Sequence, residues 1–243
     1  MKVVIAPDSF KESMSAKEVC DCAERGILSL FPDWEIVKVP MADGGEGTVE
    51  SLIDGTNGKI YNEETLDPLG EKIISKYGVL GEKNIAIIEM ATTSGLELIP
   101  ESKRNPYITT TYGTGQLMLK ALDHNVEKII LGIGGSATTD GGAGMLQALG
   151  AKLTDKEGNE IGFGGFELGK LENIDFSGLD ERLKNVEILV ACDVNNPLTG
   201  KNGSAHIFGP QKGATPEMVE VLDKNLLHYA EVVKKDLKIF LKK

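Results

Sequence analysis

Apolar residues along this chain come in short blocks that proline, glycine or charge cuts off. The block KVVIA (2–6) stops at Pro7 and reads as a buried strand. A helix is predicted from about Ser15, where Ser15 and Glu18 make a capping box and Met14 and Val19 a hydrophobic staple. Val19, Ala23, Ile27 and Leu30 keep helical spacing until Pro32 ends the run. WEIVKV (34–39) reads as a second strand and 47–54 as a second helix. Strand, helix, strand, helix is the pattern of a parallel α/β sheet.

Beyond about residue 58 the blocks crowd together. The stretches 59–66, 72–79 and 84–90 come close enough to suggest a mixed sheet. A helix at 114–123, the strand KIILGI (128–133), the helix AGMLQALG (143–150) and the strand VEILVACDV (186–194) follow. The last helix starts at Thr215 with Pro216 in its first turn, and Met218, Leu222, Leu226, Tyr229, Val233 and Leu237 form its apolar stripe. There is no internal repeat and no low-complexity linker, and the change of character near residue 60 marks the expected domain boundary.

Composition narrows the class. A chain of 243 residues can bury a sizeable core, and 41% apolar residues with 29 Gly and 9 Pro exclude collagen-like or disordered sequence. A net charge of −11 argues against a nucleic-acid partner, which needs basic surface. It also requires any anionic substrate to be met by locally placed Lys, Arg or backbone N–H groups. No apolar run reaches membrane-span length, and MKVVIAPDSFKES is not a signal peptide. Cys20, Cys22 and Cys192 form no disulfide framework, which predicts reduced thiols and a cytoplasmic protein.

Four segments between predicted elements could carry chemistry. GGSATTDGG (Gly134–Gly142) joins a strand to a helix with four glycines and three hydroxyl residues. Such a loop can bring backbone N–H groups to a phosphate or carboxylate at a helix N-terminus, although a tight turn needing positive φ would look the same. Its candidates are Gly134, Gly135, Ser136, Thr138, Thr139 and Asp140. ADGGEG (Ala42–Gly47) places Asp43 and Glu46 around Gly44 and Gly45, which suits magnesium or a sugar hydroxyl, or simply an acidic helix start. APDSFKES leaves the first strand at its carboxyl end, where open α/β sheets put ligands, and offers Asp8, Ser9 and Lys11. CDVNNPLTG supplies Asp193, Asn195 and Asn196, and PQKG adds Lys212 shortly after; Asx turns would explain either. A GxSxG elbow and an HExxH motif are both missing, and His124, His206 and His228 lack metal-ligand spacing.

Taken together, IAPDSFKESMSA, MADGGEGT, TTYGTG, GGSATTDGGAGMLQALGA, ACDVNNPL and FGPQKGA resemble, in order and spacing, the bacterial glycerate kinase family. The resemblance runs from residue 1 to about 236. It implies transfer of the γ-phosphoryl of ATP to D-glycerate, with Mg2+. It also implies an α/β fold in which a flavodoxin-like parallel-sheet domain, begun here by residues 1–60, carries an inserted mixed-sheet α/β domain, here 61–243. The substrate is expected in the cleft between them. On that basis the 134–142 loop holds phosphate or carboxylate oxygens, Lys11 with Lys212 neutralises an anion, and Asp193 or Asp43 orients the attacking hydroxyl or holds magnesium.

Past Leu237 the sequence KIFLKK no longer resembles the family, whose members continue with a glycine-rich segment and a GEGRxDxQ-like motif returning to the first domain. The expectation is a chain truncated at its C-terminus, with uncovered apolar surface and unpaired sheet edges. Two alternatives stay beside glycerate phosphorylation: a kinase for another small hydroxy acid, and a fragment that binds small anions without turnover. The acceptor hydroxyl, 2- or 3-, and the oligomeric state are open at this point.

Overall fold

The computed structural model describes residues 1–8, 10, 13–41, 49, 52, 53, 56–81 and 84–237. β1 (Lys2–Ile5) and β2 (Glu35–Lys38) pair in parallel, Lys2 opposite Glu35 and Ile5 opposite Lys38. They are linked by α1 (Ala16–Leu30), which starts as the sequence predicts: Ser15 Oγ accepts from the Glu18 N–H, and the Glu18 carboxylate accepts from the Ser15 N–H at 2.8 Å. Of the two cysteines on α1, Cys20 is buried and Cys22 exposed, as positions two apart on a helix must be.

The crowded stretch after residue 58 forms one mixed sheet in the order β3-β4-β5-β6-β9. β3 (Lys59–Leu66) and β5 (Ile85–Glu89) both run antiparallel to β4 (Lys72–Val79), which lies between them. β5, β6 (Lys128–Gly132) and β9 (Glu187–Ala191) run parallel, so Glu89, Gly132 and Ala191 end side by side. The two remaining strands, β7 (Lys152–Thr154) and β8 (Asn173–Asp175), form a separate antiparallel pair.

Two short helices, α2 (Ala91–Ser94) and α5 (Ser204–Phe208), were not legible in the sequence. The others follow prediction closely: α3 (Tyr112–Leu122), α4 (Ala143–Ala148) and α6 (Pro216–Leu237). Leu117, Met118 and Ala121 of α3 pack on Ala86, Ile88 and Ile129 of the sheet in one core cluster. A second cluster lies beneath α6, which buries Val219, Leu222, Leu226, Tyr229 and Val232 over Leu153, Leu168 and Leu171. The stripe is therefore rotated from the expected one. Val219 and Val232 replace Met218 and Val233 as buried positions, and Leu237 is exposed.

In the expected 47–54 helix, Val49, Leu52 and Ile53 are helical. Val49 and Ile53 pack on Leu80 and Ile87, so this segment joins the five-stranded sheet. At the far side of that sheet, β9 is an edge strand, with Ile188, Leu189 and Val190 exposed by 41, 41 and 55%. Alternate residues of a strand face opposite sides, so apolar surface is open on both faces. No helix among the described residues is long and apolar enough to cross a membrane.

Candidate active site

A cleft of about 820 Å³ opens at the carboxyl ends of the three parallel strands. Glu89 closes β5 there, Gly134, Gly135 and Ser136 follow β6, and Asp193 follows β9. Asp8, just past the carboxyl end of β1, lines the same cleft, with Asn196 and Lys212. Strand ends are where backbone leaves the sheet ladder, so exposed side chains and unpaired amides collect at that rim.

The Gly134–Gly142 loop divides into two halves with different work. Its first half is pinned to α2 by a β-bridge between Gly95 and Ser136, with the Leu96 N–H donating to Gly135 O at 2.9 Å and the Ala137 N–H to Ser94 O at 2.8 Å. The N–H groups of Gly134, Gly135 and Ser136 find no acceptor among the described residues and lie beside the cleft. In the second half Thr138, Thr139 and Asp140 are buried. Asp140 Oδ2 accepts from the Thr111 N–H and hydroxyl, each at 2.8 Å, and from the Gly144 N–H at 3.3 Å; Oδ1 accepts from the Gly142 N–H at 3.2 Å. The amides that open α4 are thus taken by the protein's own carboxylate. Gly135, Gly141 and Gly142 have φ of 70°, 59° and 82°, so part of the glycine content answers to backbone conformation. The part of the loop that faces the cleft narrows to Gly134, Gly135 and Ser136.

Lys212 comes from a 3-10 turn, Pro210–Lys212, and is only 6% exposed. Its Nζ donates to Ser136 Oγ at 2.9 Å and to Thr138 O. Burial pushes its ammonium down to about 8, against the pull of the Asp140 charge. Burial likewise pushes the Asp140 carboxyl up, opposed by the hydrogen bonds from Thr111, Gly142 and Gly144. Behind Asp140, burial raises the Tyr229 phenol as well.

The remaining predicted residues sort as follows. Asp193 is exposed on the cleft wall, because β9 stops at Ala191 and the chain from Cys192 on is open to solvent. Asn195 is exposed and does not line the cleft, whereas its neighbour Asn196 does, holding Asn202 O through Nδ2 at 3.0 Å. Ser9, Lys11, Asp43, Gly44 and Gly45 lie outside the described residues.

Sequence reasoning missed Glu89 and Lys76, both on the cleft wall. Glu89 is 2% exposed, and its Oε1 accepts from the Val49 N–H at 2.7 Å. A lone acidic residue ending an apolar strand, IAIIE, was the available signal. The scaffold behind the loop was also missed: Thr109 Oγ1 donates to Ala137 O at 2.8 Å, and Thr111 Oγ1 accepts from the Met145 N–H at 2.9 Å. The described residues include no group of three or more His, Cys, Asp or Glu that could hold a metal.

These observations define an α/β protein with a cleft at the carboxyl ends of its parallel strands. Comparison with known proteins agrees: the model of the Glycerate kinase family matches residues 3–243, beyond the Leu237 limit read from the sequence. A protein of Escherichia coli (strain K12) named glycerate 2-kinase is 58% identical over 242 residues, 100% of this chain and 64% of its own length. The glycerate kinase of Bacillus subtilis (strain 168) is 57% identical over 98% of this chain and 62% of its own length. A solved structure from Salmonella typhimurium LT2, assigned as a glycerate kinase 2, superposes with a TM-score of 0.92 at 55% identity, over 98% of this chain and 64% of that one. The chain therefore belongs to the glycerate kinase family. It spans a little under two thirds of the length of these relatives.

Proposed function

We propose that this chain provides the cleft of a glycerate kinase, which moves the γ-phosphoryl of ATP onto D-glycerate and leaves phosphoglycerate. The carrying observation is that Asp8, Ser136, Asp193 and Lys212, from four separate segments, line one cleft. The name of the 58%-identical relative supports the 2-hydroxyl as acceptor. The separate sheet of β1 and β2 supports a first domain beginning within residues 1–60 and an insert over 61–243, although Val49 and Ile53 already pack on the sheet of the insert. A cytoplasmic location goes with this reading.

Phosphoryl transfer asks a protein mainly for positioning and charge neutralisation. Ser136 and the amides of Gly134 and Gly135 offer donors to anionic oxygens. Lys212 places positive charge beneath them, which a chain of net charge −11 must do locally. In this reading Asp193, on the cleft lining, accepts the proton of the attacking hydroxyl. Magnesium, commonly held by one or two carboxylates with the substrate phosphates, would be held by Asp193 and Asp8, which line the same cleft; it would offset the phosphate charge. Lys11 and Asp43 keep their proposed roles as anion clamp and second metal carboxylate.

The test is ADP release by the purified chain with ATP, magnesium and D-glycerate, against a panel of other small hydroxy acids. Release that depends on D-glycerate is expected. A folded chain that releases none would overturn the assignment.

A further inference from the structure

Ser136 has one hydroxyl hydrogen and two lone pairs. Lys212 donates into one lone pair at 2.9 Å, and this is the only side-chain hydrogen bond of Ser136 among the described residues. Among the described residues its own hydrogen has no acceptor. Ser136 is half-buried on the cleft wall, with Lys212 behind it, so the open direction for that hydrogen is the cleft.

We propose that Ser136 donates its hydroxyl hydrogen to an anionic, acceptor-only oxygen of the ligand, and that Lys212 is the positioning residue that aims it. This rests on the kinase reading and names the chemistry recognised by one corner of that cleft. The recognised oxygen belongs either to the D-glycerate carboxylate or to an ATP phosphate.

The arrangement depends on the proton of Lys212. As an ammonium, Lys212 has only hydrogens to offer, so Ser136 must accept from it and turn its own hydrogen outward. As a neutral amine it gains a lone pair. Of its two partners, Thr138 O can only accept, so Ser136 alone can supply the hydrogen that lone pair needs. Loss of the proton therefore draws the Ser136 hydrogen back from the cleft. Burial places this change near pH 8. The charged and titratable groups around Lys212 are Asp140 and, behind it, Tyr229 of α6. Across the cleft stand Asp8, Lys76, Glu89 and Asp193. Arg104 abuts the turn at Gly213, and His206 of the neighbouring α5 is engaged with Glu220 and Asp223.

The experiment is calorimetric titration of the full chain with D-glycerate and, separately, with magnesium-ATP, each at pH 7 and pH 9. The ligand that Ser136 contacts should bind Ser136→Ala about tenfold to a hundredfold more weakly at pH 7, the loss expected for one hydrogen bond to a charged group. The other ligand should be little changed. For the contacted ligand, wild type should weaken from pH 7 to pH 9. Ser136→Ala should show a smaller step, and Lys212→Arg, which stays charged, should keep its pH 7 affinity at pH 9. Wild-type binding of both ligands that Ser136→Ala leaves unchanged overturns the inference alone. An undiminished pH step in Ser136→Ala also overturns it, since the loss would then come from the ammonium charge itself. Failure of the wild-type chain to bind either ligand overturns the kinase reading together with it.

Discussion

The Asp140 carboxylate is held by Thr111 twice, through the N–H that precedes α3 and through the Thr111 hydroxyl, both at 2.8 Å. The same oxygen reaches the Gly144 N–H in α4. One buried acid thus ties the starts of two helices to the loop that borders the cleft. Replacing it with Ala leaves buried donors without an acceptor, which costs about 1–3 kcal/mol for each such group. Asp140→Ala should lower Tm by roughly 10 °C or more in a chain of this size, read by calorimetry. A Tm within a degree of wild type would remove the strut role.

Asp193 is expected to act in turnover rather than in folding, since it is exposed and beyond the end of β9. Asp193→Asn should reduce kcat for D-glycerate by about a hundredfold or more, as loss of an acid–base group does, with KM for D-glycerate and Tm little changed. Near wild-type kcat would take Asp193 out of the mechanism.

Lys212 also bears on stability against pH. Its folded value, about 8, lies below the ordinary lysine value of 10.5, so the unfolded chain binds more protons in between. Stability contributed through this group should therefore rise as pH goes from 8 to 10.5. Lys212→Met should lack that rise, so that the Tm difference between wild type and variant shifts by a few degrees in favour of wild type over the window. A constant difference would show that Lys212 is not held against its charge.

Gly144 lies where α4 crosses the start of α3. A Cβ there would stand 2.1 Å from Thr110 Oγ1 and 2.8 Å from the Tyr112 N. Gly144→Ala should destabilise by about 1–3 kcal/mol through overpacking, despite the better helix propensity of alanine. Denaturant unfolding would check it; a stabilised variant would mean that the helices can separate at no cost.

The β9 edge exposes Ile188, Leu189 and Val190, an invitation to strand pairing between copies. Val190→Lys should lower self-association in sedimentation velocity at matched concentration, with the far-ultraviolet spectrum unchanged. Equal association in both proteins would show that this edge takes no part.

Much of the fold was legible because local chemistry specified it. The Ser15–Glu18 capping box, the apolar blocks at 59–66, 72–79 and 128–133, and Pro216 at the head of the last helix each depend on residues a few positions apart, and each appears where expected. The glycine-rich corners between strands and helices were visible for the same reason. The sequence by itself also determined the family, since six segments agreed in order and spacing.

What tertiary structure alone decided is which groups face the cleft. Within one glycine-rich loop, Ser136 looks outward while Asp140 turns inward to amides of Thr111, Gly142 and Gly144. Lys212 meets Ser136 across 76 residues, and Glu89 meets Val49 across 40. Such pairings depend on strand order and on which face of a sheet a residue occupies. Those are settled by long-range packing, which no short window of sequence encodes.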